Sequence, residues 1–325
     1  MQEEATIIAG GEFRLFGVLH HPTASGRADV GALLLPPFAE EKKGAHRLLV
    51  DLARELCRRG VPTLRFDYRG TGDSEGTFTD FTLSGALADA RRAIAFLRER
   101  ASTDRVGLVG VRLGGTLAAH LARETETRAA WLALWEPITS GRRYVQMNLR
   151  QMRIREMMTA AEGSRTGSVG VWEYGGMGVT GSGGAIPKTD EPIRGRPIPH
   201  TPTPPHSHTP TLPYSHTPTP PREGYDFDGY WITPALHAEL GALTLPTPRD
   251  EGGPPRVLAI AVNAAARVSS ELEALASTYG SAGASVAAIA VAAEPFWSLQ
   301  DTVPVPKLIR ATADWVVPRN SPLAG

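Results

Sequence analysis

Apolar residues follow two rhythms along this chain, and their alternation is the first guide to its architecture. Phe13, Leu15, Val18 and Leu19 alternate with one slip at Gly17, which predicts an early antiparallel strand. Val30 to Leu35 is an unbroken apolar run closed by Pro36-Pro37. A run with no polar face predicts a strand covered on both sides. Leu48, Leu49, Leu52, Leu56 and Cys57 then fall on one helical stripe, and Gly60 supplies a stop. The same two signals repeat. Strands are predicted over Val61 to Phe66, Arg105 to Gly110 and Ala130 to Trp135, and helices over Leu83 to Leu97 and Leu113 to Arg123. Strands alternating with helices imply a mostly parallel sheet with helices on both faces, an α/β fold.

The rhythm breaks near Glu162. Residues 163–222 are rich in Gly, Pro, Thr and His, and contain a period of eight that begins at His200, His208 and His216. Such a unit builds no core and is expected to be disordered, a solvated insert whose histidines bind metal weakly at most. The rhythm resumes at Tyr225. A helix is predicted from Pro234, a strand over Arg256 to Val262, a helix over Glu271 to Tyr279, a strand over Ser285 to Ala292 and a last helix from Pro306 to Val317. The expected organisation is therefore one domain in two parts, 1–162 and 223–325, interrupted by the insert at 163–222.

Composition narrows the function classes. The 325 residues carry 34 Lys plus Arg and 34 Asp plus Glu, so no basic excess points to nucleic acid. The most apolar stretches, such as Val257 to Ala266 and Ala284 to Ala293, are far below the roughly 20 residues of a membrane span. The start is acidic where a secretory leader is basic, and the single Cys57 forms no internal disulfide. A cytoplasmic protein is expected. No cofactor is expected either. Gly107, Gly110 and Gly114 have the wrong spacing for a dinucleotide fingerprint, and no Gly-Lys-Ser/Thr triplet marks a phosphate loop.

The chemistry-bearing motif is Gly107-Leu-Val-Gly110-Val-Arg112-Leu113-Gly114-Gly115. A strand ends, a tight turn follows and a helix begins, with small residues around one apex side chain. That is the nucleophile-elbow pattern G-x-S-x-G with arginine in place of serine. The chain here resembles the α/β-hydrolase fold. Asp67-Tyr68-Arg69-Gly70-Thr71-Gly72-Asp73-Ser74 is similar to a turn segment common in that fold, where Ser74 reads as a cap.

Several motifs occur in order: Pro36-Pro37-Phe38-Ala39-Glu40-Glu41-Lys42-Lys43, the Asp67 to Ser74 segment, Gly110 to Gly114, Leu134-Trp135-Glu136-Pro137-Ile138-Thr139-Ser140-Gly141, Asp228-Gly229-Tyr230 and Pro295-Phe296-Trp297. Together they resemble the exosortase A system-associated hydrolases, subgroup hydrolase 2. The resemblance implies a setting of exopolysaccharide and envelope-protein sorting, with arginine usual at the elbow. It implies no particular reaction.

A serine triad in this fold runs Ser, Asp or Glu, then His. Those positions read Arg112, Asn263 and Glu294, so triad hydrolysis is not expected. The last histidine of the chain, His237, precedes both later positions. His120 lies eight residues past Arg112, about 12 Å along a helix, and His20, His21 and His46 read as surface or capping residues. Arg112 at a helix start invites a carboxylate or phosphate. The bland alternative is an ion pair with Glu41 or Glu136. Phe38, Glu40, Glu41, Arg112, Leu113, Glu136 and Trp297 are the pocket candidates, and no metal is expected. Three functions stay open: binding of an anionic or acyl ligand or a partner from an envelope system; hydrolysis or acyl transfer by Glu40, Glu41 or Ser140 as an unconventional nucleophile; and an adaptor docking through the Pro-rich insert.

Overall fold

In the computed structural model the described residues are 1–23, 28–165, 223–249, 253–299 and 301–318. Two compact units divide the chain, residues 1–155 with 221–325, and residues 156–220. Most of the 163–222 insert lies outside the described residues.

The first unit is built on one eight-stranded sheet. In chain order its strands are β1 (Gln2–Ile8), β2 (Leu15–His21), β3 (Val30–Leu35), β4 (Thr63–Phe66), β5 (Arg105–Val111), β6 (Ala129–Trp135), β9 (Arg256–Asn263) and β10 (Ser285–Ala292). They lie in the order β1-β2-β4-β3-β5-β6-β9-β10. From β4 to β10 every neighbour is parallel, while β2 runs antiparallel to both β1 and β4. A small antiparallel hairpin, β7 (Tyr225–Phe227) with β8 (Tyr230–Ile232), stands apart.

The unbroken apolar strands fill two cores at once, because successive side chains point to opposite faces. Leu33 and Leu35 of β3 join Leu108, Leu132 and Leu134 on one face. Ala32 and Leu34 join Val109, Ala133 and Trp135 on the other. Helices α2 (Leu83–Ala101), α3 (Leu113–Ala122) and α6 (Ser270–Ser281) cover the first face. Helices α1 (Glu41–Arg58) and α7 (Pro306–Val316) cover the second. The remaining helices are α4 (Gly141–Arg165) and α5 (Pro234–Ala242).

Several elements depart from the sequence expectation. β1 was not foreseen, because Gln-Glu-Glu-Ala-Thr puts too few apolar residues on its face to register as a strand. It forms by pairing residue for residue with β2. The early strand itself sits later than expected, at Leu15–His21 rather than 13–19. Helix α4 continues to Arg165, three residues beyond the expected boundary at 162. The terminal helix ends at Val316, one residue early.

Candidate functional site

The loops after β3, β5, β6 and β10 converge at the carboxyl edge of the sheet, and Arg112 stands among them. It occupies the turn between β5 and α3 with φ 52° and ψ −119°, a conformation costly for any residue with a Cβ. The turn is held by backbone bonds: Arg112 N–H donates to Trp135 O at 2.9 Å, and Arg112 O accepts from Gly115 N at 2.9 Å. Close approach explains the surrounding glycines. A Cβ on Gly110 would lie 2.3 Å from Gly114 O, and one on Gly114 would lie 2.3 Å from Leu35 O.

The arginine side chain is largely sealed. Nε and Nη2 each donate to Glu41 Oε1 at 3.2 Å, and Nη1 donates to the backbone oxygen of Glu136 at 3.3 Å. The side chains of Arg112 and Glu41 are only 11% and 13% exposed. The guanidinium lies 4.8 Å from the centre of the Trp297 ring and 5.8 Å from that of Tyr144. A cation over aromatic faces is stabilised by the ring quadrupole, more so when desolvated. Burial pushes the Glu41 carboxyl above its ordinary range, against the pull of Arg112. Glu136 is also raised by burial; its Oε1 accepts from Val262 N at 2.8 Å, and its carboxylate is therefore spent on the backbone. Two polar atoms of the cluster, Glu41 Oε2 and the Tyr144 hydroxyl, are buried, and the hydroxyl is directed at the Glu41 carboxyl. Burial, with Glu41 close by, lifts the Tyr144 hydroxyl well above its usual range, so it remains a donor.

Of the residues singled out by sequence, the structure brings together Glu41, Arg112, Trp297 and the backbone of Glu136. Glu40 does not join them: it pairs with Lys43 at 2.7 Å, one turn along α1. Phe38 packs against Phe78 and Phe81 at 5.5 and 5.4 Å, walling a neighbouring cavity of about 180 Å³ that also includes Tyr68 and Tyr230. The Leu113 side chain is buried in the core, so only its backbone at the start of α3 can face the cleft. Asn263 closes its own turn, with Oδ1 accepting from Arg267 N at 3.1 Å and Nδ2 donating to Arg267 O at 2.8 Å. Glu294 is exposed. Ser74 donates to Asp67 O at 2.7 Å and accepts from Phe16 N at 2.9 Å, a turn-fixing role. Ser140 Oγ accepts from Arg143 N at the start of α4. His120 Nε2 lies 3.1 Å from Thr244 O, away from the apex.

One histidine corrects the surface reading. His20 is fully buried in β2, where its Nε2 accepts from Arg65 Nε at 3.2 Å. Tyr144 is the site residue that the motifs did not announce. Tyr144, Val145, Leu149 and Met152 fall at helical spacing and pack on the core, and that stripe was the available signal.

Chemically, guanidinium stays protonated and cannot attack, and an indole cannot take a proton from a nucleophile. The apex of the turn thus presents a neutralised cation, and the loop after β10 brings Trp297 as its cover.

A family model described as serine aminopeptidase, S33, matches residues 45–165, which include the elbow. Over nearly its whole length the chain superimposes on Est1E from Butyrivibrio proteoclasticus with bound ferulic acid, with TM-score 0.58 and 15% identity, covering 96% of this chain and 98% of that one. This chain has the α/β-hydrolase fold. A second superposition agrees, on DcsB in complex with its substrate analogue, with TM-score 0.53 and 14% identity over 97% and 98% of the two chains. Among curated proteins, lysophosphatidylserine lipase ABHD12 of Xenopus tropicalis is 35% identical over 113 residues, 34% of this chain. Uncharacterized protein YfhR of Salmonella typhi is 38% identical over 98 residues, 29% of this chain. These matches span only 28% and 32% of the relatives' own lengths.

Proposed function

We propose that this α/β-hydrolase-fold protein is non-hydrolytic and binds an anionic or acyl ligand at the carboxyl edge of its sheet. The observation that carries this reading is Arg112 at the elbow apex, paired with Glu41 and covered by Trp297, where hydrolysis needs a hydroxyl and its base. An incoming carboxylate or phosphate competes with Glu41 for the guanidinium. Protonation of the burial-raised Glu41 carboxyl favours that exchange. The partial similarity to lysophosphatidylserine lipases supports an anionic acyl lipid as the ligand class. The resemblance to exosortase A-associated hydrolases supports a place in exopolysaccharide or envelope-protein handling.

A second reading, covalent or acid–base catalysis by the Glu41 carboxyl, is favoured by its burial beside the Tyr144 hydroxyl and its raised pKa. One assay addresses both. Purified protein and its Arg112→Ser variant are offered p-nitrophenyl butyrate. Rates equal to buffer alone are expected for both, because a restored hydroxyl has no base. Saturable turnover by the wild type would overturn the non-hydrolytic reading, and turnover by Arg112→Ser alone would reveal a working base at positions other than Asn263 and Glu294. Wild-type turnover abolished by Glu41→Gln would establish the second one.

A further inference from the structure

The two edges of the sheet are treated differently. At one edge β1 carries Glu3 and Glu4, and these are bound by Arg54, Arg100 and His21. Charged side chains and their partners along a strand discourage pairing with another chain. At the other edge β10 reads Ser-Val-Ala-Ala-Ile-Ala-Val-Ala, with no charge, no proline and no bulge in its eight-residue register with β9. Val286 and Ala290 pack against one core and Ala287 and Ile289 against the other. Both faces of β10 are therefore partly covered, and among the described residues its outer edge has no neighbouring strand.

The direction of the backbone groups can be read off. Ser285 N donates to Pro255 O and Ala293 N to Asn263 O, so the odd-numbered residues turn their N–H and C=O groups toward β9. Val286, Ala288, Ala290 and Ala292 turn theirs outward. That row is a ready template for one more strand.

We infer that β10 is an interface between two copies of this chain, paired antiparallel about a two-fold axis at Ala288 or Ile289 so that two sheets become one. A second copy fits for three reasons. Either axis sets Ala, Val, Ser and Ile against one another, with no like charges and no large side chain to clash. The outward groups of one copy have the spacing of the other's by construction. An isologous pairing also uses up both β10 edges, leaving only the charged β1 edges outside, so the assembly stops at two.

Sedimentation equilibrium of the full chain across the micromolar range tests this inference. A dimer is expected for the wild type. Ala288→Pro and Ala290→Pro each delete an outward N–H without touching the β9 ladder, and should give monomers with an unchanged far-ultraviolet circular dichroism spectrum. Ala287→Pro, which removes a bond to β9, should lower the melting temperature instead. Hydrogen exchange decides independently of any variant: in the dimer the Val286, Ala288 and Ala290 amides should exchange at least about tenfold more slowly than on dilution to monomer. A wild-type monomer throughout the range, a dimer that persists in folded Ala288→Pro, or fast exchange at those three amides at high concentration overturns the inference.

Discussion

At the scale of single residues, Arg112 and Glu41 hold each other in place, and each would be costly alone. Replacing Arg112 with alanine leaves the Glu41 carboxylate buried without its cation, a change expected to destabilise by about 3 kcal/mol at pH 8. The loss should shrink on acidification. Glu41 is already raised by burial, and without Arg112 it would take up a proton more readily still. Urea unfolding of Arg112→Ala at pH 8 and pH 5.5 measures both figures, and Arg112→Ala/Glu41→Gln should recover most of the loss. An equal cost at the two pH values would mean that Glu41 is not the partner that matters. How much of this cluster the sequence discloses follows from distance along the chain. Arg112 is visible because the elbow is a local pattern, and Glu41, Glu136 and Trp297 because they follow strands that converge. That Glu41 rather than Glu136 gives its carboxylate to Arg112 is not legible, since it depends on Glu136 turning at φ 45° to meet Val262 N.

At the scale of elements, the β5–turn–α3 unit works because two backbones nearly touch. Adding a methyl at Gly110 would drive Cβ into Gly114 O, so the start of α3 must shift. Gly110→Ala is expected to cost about 1–3 kcal/mol in urea unfolding, and to loosen Arg112 from Trp297 as well. The strands of the parallel sheet are mostly legible, because each is a short apolar run bounded by turn residues; Arg105–Val111, expected to end at Gly110, is an example. β1 escapes notice because its pattern is mostly exposed and its existence rests on pairing with β2. The β7–β8 hairpin escapes notice because three-residue strands carry no period. Helix α4 has an apolar stripe at its start, but its charged continuation hides it.

At the scale of the whole molecule, the sheet buries one titratable group that links folding to pH. Burial lowers His20 from 6.5 to about 4, and Arg65 adds to the effect. Folded His20 is therefore neutral where the unfolded chain would be protonated. Its contribution is present above about pH 6.5 and is lost as pH falls toward about 4, by up to about 3 kcal/mol. Glu41 and Glu136, raised by burial, act in the opposite sense: they favour the folded state at low pH and lose that effect as pH rises through their folded values. His20→Gln keeps an acceptor for Arg65 and removes the titration. Its stability should fall less than that of the wild type between pH 6.5 and pH 4 in parallel thermal scans, and coincident profiles would show that His20 does not govern acid sensitivity. The 163–222 insert expected from composition lies almost wholly outside the described residues.

The indole lying on Arg112 also makes the site visible to light. The emission of a tryptophan depends on the electric field across its ring, and Trp297 has a full positive charge 4.8 Å from its centre. Any ligand that draws the guanidinium away changes that field, so the colour and brightness of this one chromophore report occupancy. Subtracting the spectrum of Trp297→Phe isolates its signal from the other five tryptophans of the chain. The protein thus carries its own optical gauge beside the turn between β5 and α3.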